Sequence, residues 1–166
     1  MPQLITEATP EILIEKAPRQ LSLYQGGQLL FRCPIGLGSA PLGHKTREGD
    51  GRTPEGRYMI CTRNPESRFH LALGLNYPNA ADAQAALAAG CISPEAAAAI
   101  IAAEQAGKRP PWDTPLGGQI MIHGQRPGQE ERAGSDWTAG CISLANEDME
   151  RLWQLCPLGT PVQILP

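Results

Sequence analysis

Short apolar runs interrupted by glycine and proline constrain this chain more than any other feature. With 18 glycines and 16 prolines among 166 residues, about a fifth of the chain is turn-forming. That is above average usage, yet below the roughly 25–30% that marks disorder. Hydrophobic residues at 42% and charged residues at 19% are enough to fold. The pattern predicts a mainly β domain with many tight turns. Ile12-Leu13-Ile14 is a first strand, and Gln20-Leu21-Ser22-Leu23-Tyr24 alternates as a half-buried one. Gln25-Gly26-Gly27-Gln28 reads as a hairpin turn into Leu29-Leu30-Phe31. A polar loop spans 36–56, and strands follow over 57–61, 69–73, 119–123 and 162–164.

The middle of the chain breaks this rhythm. Alanine dominates 80–107, where two helices fit. The first takes Asn79 as N-cap and ends at Gly90. The second takes Ser93 as N-cap, Pro94 as its first residue and Gly107 as terminator. Alanine buries little area, so these helices are expected to lie on the body as an insert. Near the end, Asn146 is the expected cap of a helix whose Met149, Leu152, Trp153 and Cys156 share one face, stopped by Pro157.

Size and charge narrow the function. A chain of 166 residues and 17.8 kDa predicts one domain over 1–166. A net charge of −3 and a pI near 5.6 exclude a phosphate-backbone binder, so no nucleic-acid partner is expected. No apolar run approaches the roughly 18–20 residues of a membrane span. The five cysteines, at 33, 61, 91, 141 and 156, are odd in number and lack CxxC spacing. Neither a disulfide framework nor a metal site follows, and no cofactor is implied. Met1–Glu7 shows neither the basic start nor the apolar run of a secretory leader. Together with free cysteines this favours a reducing cytosol; a chain whose leader had been removed would belong to the periplasm or wall instead.

Two residues invite chemistry. His123 ends an apolar strand, and Cys141 lies in Thr138-Ala139-Gly140-Cys141-Ile142-Ser143. Brought together, a thiol and an imidazole make a nucleophile and its base. A lone cysteine is also commonly a small buried hydrophobe, and spacing alone does not separate the two. The chain carries its own comparison, since Ala89-Gly90-Cys91-Ile92-Ser93 repeats the pentapeptide 139–143. Helix punctuation accounts for Gly90 and Ser93, so Cys91 is read as structural.

The segment from His123 to Cys141 resembles the signature of the L,D-transpeptidases, or YkuD-domain proteins: a His, commonly followed by Gly or Ser, a spacer, then Ser/Thr-x-Gly-Cys. The spacer here, Gly124 to Trp137, is 14 residues. Thr53-Pro54-Glu55-Gly56 resembles the family's Thr-Pro-x-Gly element, and 76–79 and 117–124 also resemble one branch. The resemblance implies a compact β barrel or sandwich carrying the helical insert and C-terminal helix. It makes Cys141 the nucleophile, His123 its base, and the Gly140 and Cys141 N–H groups the oxyanion donors. Gly124, Trp137, Thr138 and Ser143 are the substrate-binding candidates. Asp136 is not required as a third member, because a backbone carbonyl tends to hold the His in this family. The implied partner is a peptidoglycan stem peptide or muropeptide, cleaved at an L,D-amide through a thioester and transferred to an amine or to water.

One position departs from the pattern. Many members carry Arg or Asn two residues after the cysteine, where this chain has Ser143. Serine cannot pair bidentately with a carboxylate, and small residues occur there in a hydrolytic branch. Transpeptidation, L,D-carboxypeptidase action on recycled muropeptides, and a non-catalytic wall-binding module therefore stand as three readings. His44 and His70 are expected as a solvated loop residue and a satisfied strand residue. Asp50, Arg52 and Glu55 are expected as turn and surface charges.

Overall fold

The computed structural model describes residues 8–166; the polar start Met1–Glu7 lies outside the described residues. Strands β1 (Pro10–Glu15), β2 (Gln20–Gln25) and β3 (Gln28–Pro34) form an antiparallel meander. Gly26 and Gly27 both take positive φ, +59° and +76°, which the tight turn between β2 and β3 requires. Next come β4 (Gly56–Ser67), β5 (His70–Leu75), helices α1 (Ala80–Ala88) and α2 (Pro94–Gln105), β6 (Met121–His123) and β7 (Ile142–Ser143). Helix α3 (Asn146–Leu155) and β8 (Pro161–Leu165) complete the chain.

The eight strands form one curled half-barrel sheet in the order β3-β2-β1-β8-β4-β5-β6-β7. The curl runs through β4. Its residues Gly56–Met59 pair with β8, whereas Ile60 onward pairs with β5 through two register shifts. The sequence pattern hides the second half of β4, because 62–67 is mostly polar and none of it is buried. The strand expected over 119–123 is cut to three residues because Gln119 takes a φ of +56°. Ile12, Ile14, Leu21, Leu23, Ile60, Leu73, Ile122, Ile142 and Ile164 fill the concave core. Each such side chain stabilises by about 1.5–3 kcal/mol when fully buried.

α3 closes this core with Met149 and Leu152, both fully buried. Arg63 of β4 lies 3.9 Å over the Trp153 ring and donates to the Trp153 carbonyl, fastening the helix end. Asn146 is not the cap. Ala145 occupies that position, and the Asn146 Oδ1 instead accepts from the Gln125 N–H at 2.7 Å, tying the helix start to the segment after His123.

The insert behaves as a satellite with its own small cluster of Ala83, Ala86, Ile92, Ala97, Ile100 and Leu116. Asn79 and Ser93 cap its helices as expected. A buried carboxylate docks it. Asp82 accepts from the Tyr58 hydroxyl at 2.8 Å and contacts His44 Nε2 at 2.7 Å. The Glu55 N–H donates to His44 Nδ1, so Nε2 carries the proton given to Asp82. His44 is thus pinned between loop and insert, correcting the solvated-loop expectation. His70 meets Glu150 of α3 at 2.8 Å on the surface. Among the described residues no helix is long and apolar enough to cross a membrane.

Candidate active site

β6 and β7 run parallel, with Ile122 opposite Ile142 and His123 opposite Ser143. Ile122 and Ile142 are fully buried in the core, so strand alternation turns 121, 123 and 141 to the other face. There Cys141 and His123 line one cleft of about 620 Å³. The Cys141 Sγ accepts from the Met121 N–H and donates to the Gln119 carbonyl, each at 3.4 Å. Donation to a carbonyl requires the protonated thiol. Burial pushes the thiol pKa up, outweighing the Met121 N–H and the nearby Lys45 charge.

His123 is held more tightly. Its Nδ1 lies 2.6 Å from the Gly124 carbonyl, which only accepts, so Nδ1 carries the proton and Nε2 keeps its lone pair. Phe69 stacks on the ring at 4.4 Å and 24°, while Trp137 sits at 5.8 Å and 59°. This aromatic packing leaves His123 2% exposed. Burial lowers its pKa below the usual histidine value, although the Gly124 carbonyl opposes this. Thiol and imidazole are therefore both neutral at pH 7, the protonation states that a proton donor and a base require.

The acid limb of kcat/KM is accordingly expected below pH 6.5, because activity rises as His123 loses its proton. A pH–rate profile with a midpoint at or above 6.5 would contradict this environment for the imidazole.

The loop carrying Cys141 is built by residues outside the motif. Arg19 grips Asp136 through Nε (3.1 Å) and Nη2 (2.8 Å), and Asp136 also accepts from the Leu37 N–H. Burial would raise the Asp136 pKa, but the Arg19 bonds and the Leu37 N–H overcome this and lower it. Asp136 thus anchors the loop and does not orient His123. Gly36 and Gly38 bridge to Ser143 and Thr138. A Cβ on Gly38 would lie 2.1 Å from the Gly51 carbonyl, so only glycine permits this approach.

Several of the candidate residues are tied into the loop around Cys141. The Gly140 N–H donates to Thr138 Oγ1 at 3.1 Å. Thr138 Oγ1 in turn donates to the Cys141 carbonyl at 2.7 Å. Thr138 therefore shapes the turn from a buried position and does not touch the cleft. Ser143 is fully buried, its hydroxyl without a partner among the described residues, and it exchanges backbone bonds with Gly36. Gly124 lies under Asn146 Oδ1 and supplies the carbonyl to His123. Trp137 packs on His123 and Phe69, and its indole N–H is buried. None of Gly124, Trp137, Thr138 and Ser143 lines the cleft.

Gly140 holds a φ of +144°, and an added Cβ would meet the Arg52 carbonyl at 2.7 Å. Gly140→Ala is expected to displace Cys141 and reduce kcat on the order of 100-fold, since ångström-scale misplacement has that effect. Wild-type kcat in a folded variant would refute it.

Phe69 and Lys45 line the cleft and were not singled out by sequence. Phe69 sits in a turn that breaks the strand pattern. Lys45 lies in the polar loop over 36–56 and meets Asp50 only once that loop is folded.

A family model described as the L,D-transpeptidase catalytic domain matches residues 9–164. The L,D-transpeptidase-like protein YafK of Escherichia coli (strain K12) is 41% identical over 77 residues, covering 43% of this chain and 31% of YafK. The helical cell shape determining protein Pgp2 of Campylobacter jejuni superposes with a TM-score of 0.63 at 25% identity, over 96% of this chain and 48% of that one. An L,D-transpeptidase from Mycobacterium smegmatis gives 0.56 at 13% identity, over 96% and 59%. The chain thus spans about a third of YafK and about half of Pgp2.

Proposed function

This chain belongs to the L,D-transpeptidase catalytic domain family, a cysteine enzyme family acting on peptidoglycan, and on that premise we propose that it cleaves the L,D-amide of a peptidoglycan stem peptide through a thioester at Cys141. The observation that supports the proposal is the Nδ1–H···O=C bond to Gly124, which leaves the lone pair on Nε2 of a His123 that lines the same cleft as the thiol.

The Cys141 proton passes to Nε2 as Sγ attacks the carbonyl of the third-position diamino acid. The tetrahedral oxyanion takes the Cys141 N–H, since the Gly140 N–H is already bonded to Thr138. Collapse breaks the C–N bond, and Nε2 returns its proton to the departing amine of the terminal D-amino acid. Attack by water or by an amine on the thioester, with Nε2 again taking the proton, frees Cys141. No step calls for a metal or organic cofactor.

Water is the acceptor that Ser143 favours. A cation two residues after the cysteine would help hold a second stem peptide, and a fully buried serine provides none. This supports an L,D-carboxypeptidase, and five free cysteines suit a reducing compartment in which muropeptides are recycled.

Mass spectrometry after incubation with a purified disaccharide-tetrapeptide tests the proposal. A tripeptide product supports hydrolysis, and cross-linked dimers support transfer. Formation of neither product would overturn the L,D-amide reading.

A further inference from the structure

Among the described residues the cleft lining carries few charges, and Arg68 is its one cation not committed to a carboxylate; Arg126, outside the lining, lies over the Phe69 ring. The lining's ionisable side chains besides the His123–Cys141 pair are Lys45, Glu48, Glu66 and Arg68. Lys45 is buried and committed to the Asp50 carboxylate at 2.8 Å and the Arg47 carbonyl at 3.1 Å. Glu48 and Glu66 repel anions. Among the described residues Arg68 makes no ion pair and is exposed on the β4–β5 turn.

The turn also fixes where Arg68 stands relative to the chemistry. Its neighbour Phe69 donates its N–H to Ser67 Oγ at 3.0 Å and stacks on the His123 ring. The leaving amine must lie at Nε2 to receive its proton. The carboxylate of a terminal amino acid is only two bonds from that amine nitrogen, so it falls on the His123 side of the cleft, beside this turn.

We propose that Arg68 is a substrate-binding residue that pairs with the free α-carboxylate of the departing amino acid, and so selects stem peptides ending at the scissile residue. This rests on the L,D-amide reading above. A guanidinium matches a carboxylate bidentately, which an ammonium does not. Exposure weakens the pair, so about tenfold discrimination is expected, at the low end for a hydrogen bond to a charged group.

The test compares kcat/KM for release of the terminal residue from two disaccharide-tetrapeptides, one with a free and one with an amidated C-terminus. Wild type is expected to favour the free acid. The acid-to-amide ratio should fall about tenfold in Arg68→Gln and less in Arg68→Lys, since lysine keeps the charge without the fork. A ratio unchanged by Arg68→Gln, or near one in wild type, overturns the role of Arg68 while leaving the L,D-amide reading standing. No release from either peptide by wild type overturns both.

Discussion

Replacing Cys141 with alanine is expected to lower tripeptide or dimer formation by at least about 10⁴-fold, because removing a nucleophile leaves only binding and electrostatic contributions. Cys91→Ala should retain wild-type rates. The two cysteines sit in identical pentapeptides, so local sequence chemistry is matched. Their surroundings are not. Cys91 is exposed in the link between α1 and α2, its thiol donating to the Ala89 carbonyl at 3.9 Å. Cys141 faces the cleft beside β6, bracketed by the Met121 N–H and the Gln119 carbonyl. Product quantification for both variants decides it, and retained turnover in Cys141→Ala would remove the thioester mechanism altogether.

The second large effect concerns the loop that walls the cleft. Asp50→Ala is expected to cost about 3 kcal/mol, within the range for stranding one partner of a buried ion pair. Lys45 and Asp50 side chains are only 4% and 6% exposed, and 2.8 Å apart. Asp50 also accepts from the Thr46, Arg47 and Arg52 N–H groups, so it organises the whole turn. For a domain of this size the loss corresponds to a fall in Tm of about 10 °C. The pH dependence has a definite sign. Burial would raise the Asp50 pKa, but Lys45 and the backbone N–H groups bring it down to about 2. The stabilisation is therefore complete above the ordinary carboxylate value near 4 and is lost as pH falls toward 2. Denaturant unfolding at pH 7 and at pH 2–3 should show the wild-type advantage over Asp50→Ala shrinking across that window. A constant difference would assign the effect to turn geometry alone.

Asp50 is the turn charge that its Gly-Asp-Gly setting predicts, yet its burial and its grip on Lys45 depend on the folded loop. The same holds for Lys16, whose buried ammonium donates to the Gly43 and Thr53 carbonyls and to Glu55. Burial lowers its pKa against the pull of Glu55. Strand alternation does not reveal a lysine held by loop carbonyls 27 and 37 residues away.

What the sequence determined by itself was local or periodic. The Gly26-Gly27 turn, the Asn79 and Ser93 caps, the alanine insert and the amphipathic α3 all follow from backbone preference and hydrophobic period, which act within a few residues. The His-spacer-Thr-x-Gly-Cys register was equally legible, because it is a pattern in one dimension. Tertiary structure decided everything that depends on distant partners. It turned the Gly140 N–H onto Thr138, buried Ser143 against Gly36, and stacked Phe69 on a histidine 54 positions later. It also gave one of two identical pentapeptides a cleft and the other a solvent-facing link. Burial, stacking and ion pairing are energies between segments that meet only when the sheet curls, so no window along the chain contains them.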